Sequence, residues 1–375
     1  MPTNNLRPIA SSSLSLPPET YIYSIIPTAS NSLAAISSDD SLRVFNRETL
    51  RLIPGDFIQP AHEGVTCLQG VDDAGNIVST AGRDGVIRFW DLRSGKKTGE
   101  LNGVANNAPI LALGCSAARN AVVAGTELDG GQAVVAIWDI RSPALPQIQY
   151  VESHNDDITE VLLPPSAPLQ YYPLQSSLLL SGSTDGLVNI YSTDHTEEDD
   201  ALYRVINHGS SIHHAGFLPD QNGDCNGIQD LSDVYALSHD EILSIYSIPH
   251  PDSQPDPDTQ DTSAGEERPP IQFGDLRPKL AGEYIVNILM AGGGASGAMV
   301  AVGNHSEQRL DLVPLTKVTA SLPSSSAQSW QFNLTSIARL PGAHGEDVVR
   351  DVFVDDNSQT VFTGGEDGHV RAWKP

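Results

Sequence analysis

Three stretches, STAGRDGVIRFWD (79–91), LSGSTDGLVNIYS (180–192) and FTGGEDGHVRAWK (362–374), are one pattern written three times. Each begins with a strand ending in small residues, turns on Asp-Gly, and continues as an alternating strand that closes on an aromatic residue. Asp-Gly suits a tight turn because glycine takes positive φ without a Cβ penalty. Alternation puts every second side chain of the following strand on one face. Recurrence at this scale predicts an all-β array of short repeated units rather than one long sheet.

Upstream of each copy lies a histidine loop that runs into an apolar strand: AHEGVTCL (61–68), SHNDDITEVLL (153–163) and AHGEDVVRDVFV (343–354). Together these segments resemble the WD-repeat family, in which each repeat forms a four-stranded propeller blade. The resemblance implies a buried hydrogen-bond network of His62, Thr80, Asp84 and Trp90 in one blade and His344, Thr363, Asp367 and Trp373 in another. It implies a third from His154, Ser181 and Asp185, closed differently because Tyr191 stands where the tryptophan belongs.

Four degenerate repeats complete the ring. SLAAISSDDSLRVFN (32–46), AVVAGTELDGGQAVVAIWDIR (121–141), DVYALSHDEILSIYSI (233–248) and MVAVGNHSEQRLDLVPL (299–315) read as blades one, three, five and six. The expected fold is a seven-bladed β-propeller, a single domain over 1–375 closed by an N-terminal strand. HVRAWKP (369–375) follows the turn of the last repeat with one strand only, so residues near 5–16 are the available donor for its outermost strand, which removes an exposed edge.

Composition narrows function. A net charge of −26 repels nucleic acid over most of the surface and favours a basic polypeptide partner. Cys67, Cys115 and Cys225 are widely separated, with no metal-ligand spacing, which fits a reducing compartment. No stretch approaches the roughly 18 apolar residues of a membrane span, and neither membrane nor nucleic-acid binding is expected. From Asp194 to Glu267 there are seventeen acidic residues and one basic one, Arg204. Its Pro-rich part, about 250–270, reads as a disordered loop, either a solvated linker or an acidic arm.

In propellers of this kind the loop entering the innermost strand and the turn before the third strand share a face. Glu63, Asp156, Asp157, Asp240, Glu241, Glu346, Asp347 and Glu366 occupy those places and are the candidate contacts for a basic partner, such as a ribosomal protein or a histone. Two WDxR boxes, WDLR (90–93) and WDIR (138–141), resemble those of cullin-4 ubiquitin-ligase substrate receptors, which would give Arg93 and Arg141 an adaptor contact. Catalysis has little to stand on. There is no nucleophile elbow, phosphate-binding loop or HExxH helix, AGGGASGA (291–298) reads as a hairpin connection, and His213 and His214 as strand neighbours should point to opposite faces. No cofactor or metal is expected, and the chain is expected to be monomeric. Segments such as EEDDALYRVINHGSSI (197–212) and YALSHDEILSIYSI (235–248) further resemble the small eukaryotic propeller family of WD repeat-containing protein 89. That likeness implies a nuclear or nucleolar scaffold without a defined reaction.

Overall fold

Asp-Gly turns and alternating strands build the sheets of a computed structural model that describes the chain except for residues 1–3, 30, 73, 105–106, 165–176, 220–230, 249–267, 291–296 and 320–327. Most of the expected acidic loop, most of AGGGASGA and Cys225 therefore lie outside the described residues. Seven sheets follow one another along the chain, six of four strands and one of six, and they are the blades of a propeller. The innermost strands are Ile22–Thr28, Val65–Gly70, Ile110–Ser116, Ile158–Leu162, Ile212–Pro219, Tyr284–Met290 and Val349–Asp355.

The core is not inside any blade. Seven apolar clusters each join residues of two consecutive blades, for instance Leu33, Ile22 and Phe45 of blade 1 with Phe362 and Val370 of blade 7. A blade alone would expose both of its apolar faces, so the blades stabilise one another around the ring.

Closure happens as the repeat pattern demands. Arg7–Ser12 pairs antiparallel with Val370–Lys374 as the outermost strand of blade 7. Ahead of it, Asn4–Asn5 pairs parallel with Ala338–Pro341 at the outside of blade 6. Blade 6 is enlarged further: its third strand, Arg309–Thr319, extends past the blade and its far half pairs with Gln328–Phe332.

Every innermost strand is bulged at the same place. The register slips between Ile22 and Ser24, Val65 and Cys67, Ile110 and Ala112, Ile158 and Glu160, Ile212 and His214, Ile285 and Asn287, and Val349 and Asp351. In each case a buried Ile or Val anchors the strand. The residue after the anchor is left without a cross-strand partner, and the local twist increases.

Candidate functional site

The site is a face, and buried histidines hold its loops. In blade 7 the Trp373 indole N–H donates to Thr363 Oγ1 at 3.1 Å. With that oxygen accepting, the Thr363 hydroxyl donates to His344 Nε2 at 2.8 Å, which leaves Nδ1–H to donate to Asp367 at 2.7 Å. Blade 2 repeats the chain through Trp90, Thr80, His62 and Asp84, at 2.8, 2.8 and 2.9 Å. Blade 4 closes it differently: His154 bonds Ser181 at 2.7 Å and Asp185 at 3.1 Å, while Ser181 donates to the Tyr191 hydroxyl at 3.3 Å. Tyr191 also stacks on Tyr150, ring centroids 4.7 Å apart. Blade 3 keeps its Trp138 but has Ala124 where blade 2 has Thr80, and the Trp138 indole nitrogen is buried without a partner among the described residues.

Burial lowers the basicity of His62 and His344, keeping both neutral. Burial is the largest single influence on Asp84 and Asp367 and opposes their ionisation, but the histidines together with Arg88 and Arg371 outweigh it and hold both carboxyls below their ordinary range. Each imidazole pins the loop that follows it, so Glu63, Asn155–Asp157 and Glu346–Asp347 sit on pegs. Gly365 permits this in blade 7, where a Cβ would lie 2.6 Å from His344 Nδ1. Replacing His344 or His62 by alanine is expected to cost ~1–3 kcal/mol, because each takes a partner from a buried threonine hydroxyl and from a part-buried carboxylate that keeps its arginine. Thermal melting checks this; an unchanged midpoint would show that the networks do not support the fold.

The eight rim acids are not equivalent. Glu63, Glu346 and Asp347 are exposed with no side-chain partner among the described residues, and Asp240 is exposed and accepts from Ser210 at 3.0 Å. Asp156 and Asp157 are half-buried and spend oxygens on backbone N–H groups, of Asp157 and Leu128 respectively. Glu366 is paired with Arg350, which corrects the expectation of a free carboxylate there. Glu241 departs most. It is 8% exposed, its Oε2 is buried without a partner among the described residues, and burial pushes its carboxyl up to about 7. At its position blades 2, 4 and 7 carry the turn glycines Gly85, Gly186 and Gly368 at positive φ, whereas Glu241 itself holds φ 61°. A side chain in that left-handed region costs ~1–2 kcal/mol.

These loops surround the mouth of the central channel, where a cavity of about 880 Å³ is lined by Tyr23, His213, Glu241, Tyr284, Ile285 and Arg350 among others. Sequence reasoning placed His213 and His214 on opposite faces; the structure overturns that. His213 is the bulged residue of its strand, alternation fails there, and the two rings lie 4.1 Å apart, with His239 stacked on His213 at 4.7 Å. Burial, followed by His214 and His239, holds His213 neutral by pushing it down to about 3. Stacked rings do not converge on a point, and no group of three or more His, Cys, Asp or Glu among the described residues is arranged to hold a metal ion. Tyr23, His213 and Arg350 were missed as lining residues. Their signal is the place after the buried Ile or Val that anchors the start of each innermost strand.

Arg93 and Arg141 are well exposed, but each turns back on the aspartate of its own box, at 3.0 Å to Asp91 and 2.6 Å to Asp139. The pattern recurs at Arg277 and Asp275 in a segment without a tryptophan. This aspartate–arginine turn is a local feature of strand ends.

Comparison with known proteins agrees with the geometry. The WD domain, G-beta repeat model matches residues 56–91 and 334–374, the segments that hold the two complete histidine networks. A WD repeat-containing protein of Schizosaccharomyces pombe is 30% identical over 362 residues, covering 95% of this chain and 96% of the relative. The chain belongs to the WD-repeat family. A WD-repeat protein of Saccharomyces cerevisiae is 30% identical over 304 residues, and the match spans 80% of this chain but only 64% of that longer relative. The WD repeat-containing protein 89 homolog of Dictyostelium discoideum is 22% identical over 92% of this WD-repeat chain and 80% of its own length.

Proposed function

We propose that this WD-repeat protein is an interaction scaffold without catalytic chemistry of its own, and that it holds a basic polypeptide against the loop face around the channel mouth. The carrying observation is the set of exposed rim carboxylates, Glu63, Asp240, Glu346 and Asp347, of which three have no partner among the described residues, on a chain of net charge −26. Paired surface acids are spoken for; unpaired ones clustered around a concave mouth add their fields and steer a cation toward it. Histones and basic ribosomal proteins have the matching charge, and the nucleus or nucleolus is the compartment this reading assigns.

Affinity capture on the full chain, followed by titration of the recovered partner at rising salt, tests the reading. Partners with an excess of Lys and Arg are expected, and their binding should weaken as salt shortens the Debye length from its ~10 Å at 0.1 M. Converting Glu63, Asp240, Glu346 and Asp347 to their amides should remove ~0.2–1 kcal/mol of binding per charge, mostly through slower association. Neutral partners that survive high salt would sink the proposal.

A further inference from the structure

Glu241 sets the channel mouth apart from the rest of the face. Its unpartnered Oε2 is buried beside the cavity, and the backbone N–H of Ile285 lies against the same carboxylate. Arg277, whose field reaches it, is already held by Asp275 through contacts of 2.9 and 3.0 Å, and so does not serve as its counter-ion. The other ionisable groups near it are Asp275 and His214, with Asp240 beside it in the chain; across the mouth stand Asp40, Arg350 held by Glu366, Arg83 held by Glu127, and Glu283 engaged by His305. A buried, half-satisfied carboxylate at a turn position that blades 2, 4 and 7 give to glycine and blade 1 gives to Asp40 is the mark of a ligand site.

We infer that the channel mouth is a pocket for one lysine ammonium of the partner, with Glu241 as its counter-ion; the inference rests on the basic-partner reading above. One unpartnered carboxylate oxygen matches a compact point charge, whereas a guanidinium fork needs two. Ile285 and Val286 line the way for the aliphatic stem, and His213, being neutral, does not repel the charge.

The test uses the full chain and fluorescent peptides of alternating glycine and lysine, or glycine and arginine, with binding read by anisotropy at pH 6 and pH 8. For the parent, lysine-peptide affinity should rise about tenfold between these values, following the ionised fraction of a carboxyl with its midpoint at about 7. E241Q should bind at pH 8 as weakly as the parent at pH 6, with no pH dependence. Because it removes a buried charge, E241Q should melt at or above the parent at pH 8, which separates lost binding from lost folding. If E241Q binds the lysine peptide like the parent with the same pH profile, the pocket assignment is wrong while the acidic-face reading stands. Equal dependence of the arginine peptide on Glu241 overturns the ammonium assignment. If neither peptide binds at low salt, the acidic-face reading fails, and the pocket with it.

Discussion

Asp233→Ala is expected to destabilise the protein by ~3–5 kcal/mol, the largest loss from any single side chain considered. Asp233 sits in the second strand of blade 5, Leu231–Ser238, and is 4% exposed. One carboxylate oxygen accepts the Ser247 hydroxyl at 2.9 Å, and the other takes the Trp330 indole N–H at 2.8 Å and pairs with Lys317 at 2.9 Å. Lys317 and Trp330 both belong to the added hairpin of blade 6, so one carboxylate fastens that hairpin to its neighbour. Removing it takes from the Lys317 ammonium, whose side chain is 6% exposed, the buried counter-charge of Asp233. Combining Asp233→Ala with Lys317→Met should restore much of the loss, because no buried charge then remains. Urea or thermal melting reads both; a single variant within about 1 kcal/mol of the parent would mean that the pair is not desolvated.

Deleting residues 1–16 should be comparably severe, costing on the order of 5 kcal/mol from two buried leucines and the lost ladder. Leu6 and Leu14 are 5% and 2% exposed. Between them, Arg7–Ser12 supplies the outer strand of blade 7, and Arg43 of blade 1 donates to the Leu14 carbonyl at 2.8 Å. With Asn4–Asn5 on blade 6, the segment spans three blades. Its removal uncovers the edge of Val370–Lys374, so a lower melting point should come with aggregation, visible by size-exclusion chromatography. A truncation that melts and elutes like the full chain would show the segment to be dispensable.

The sequence made the ring legible because its signals are local. Asp-Gly turns, alternating strands and the His62, His154 and His344 loops each lie within a short window, and the seven blades follow from counting them. What it concealed depends on how distant strands register. The bulge at His213 is decided by pairing with Leu231–Ser238, so a reading of alternation alone put His214 on the wrong side. Glu241 looked like one more surface acid because the packing that buries it comes from blade 6. Glu198 deceived in the same way: within the acidic run it reads as solvent-facing, yet its carboxylate accepts the backbone N–H groups of Val151, Glu152 and Ser153, just ahead of His154. The hairpin strand Gln328–Phe332 was not anticipated at all, since its stabilising partner, Asp233, lies 97 residues away.

The bulges carry an implication for engineering. Tyr23, Thr66, Leu111, Thr159, His213, Val286 and Arg350 each occupy the one residue per innermost strand that has no opposite number in its ladder. Such a position is released from cross-strand pairing preferences, while the Ile or Val before it keeps the blade in place. Thr66 and Thr159 use their hydroxyls to fasten the next blade's backbone and Val286 is buried, but Tyr23, His213 and Arg350 face the mouth as replaceable letters set in a fixed frame. A combinatorial library confined to these three would rewrite what the mouth accepts while leaving the ladder pairing intact.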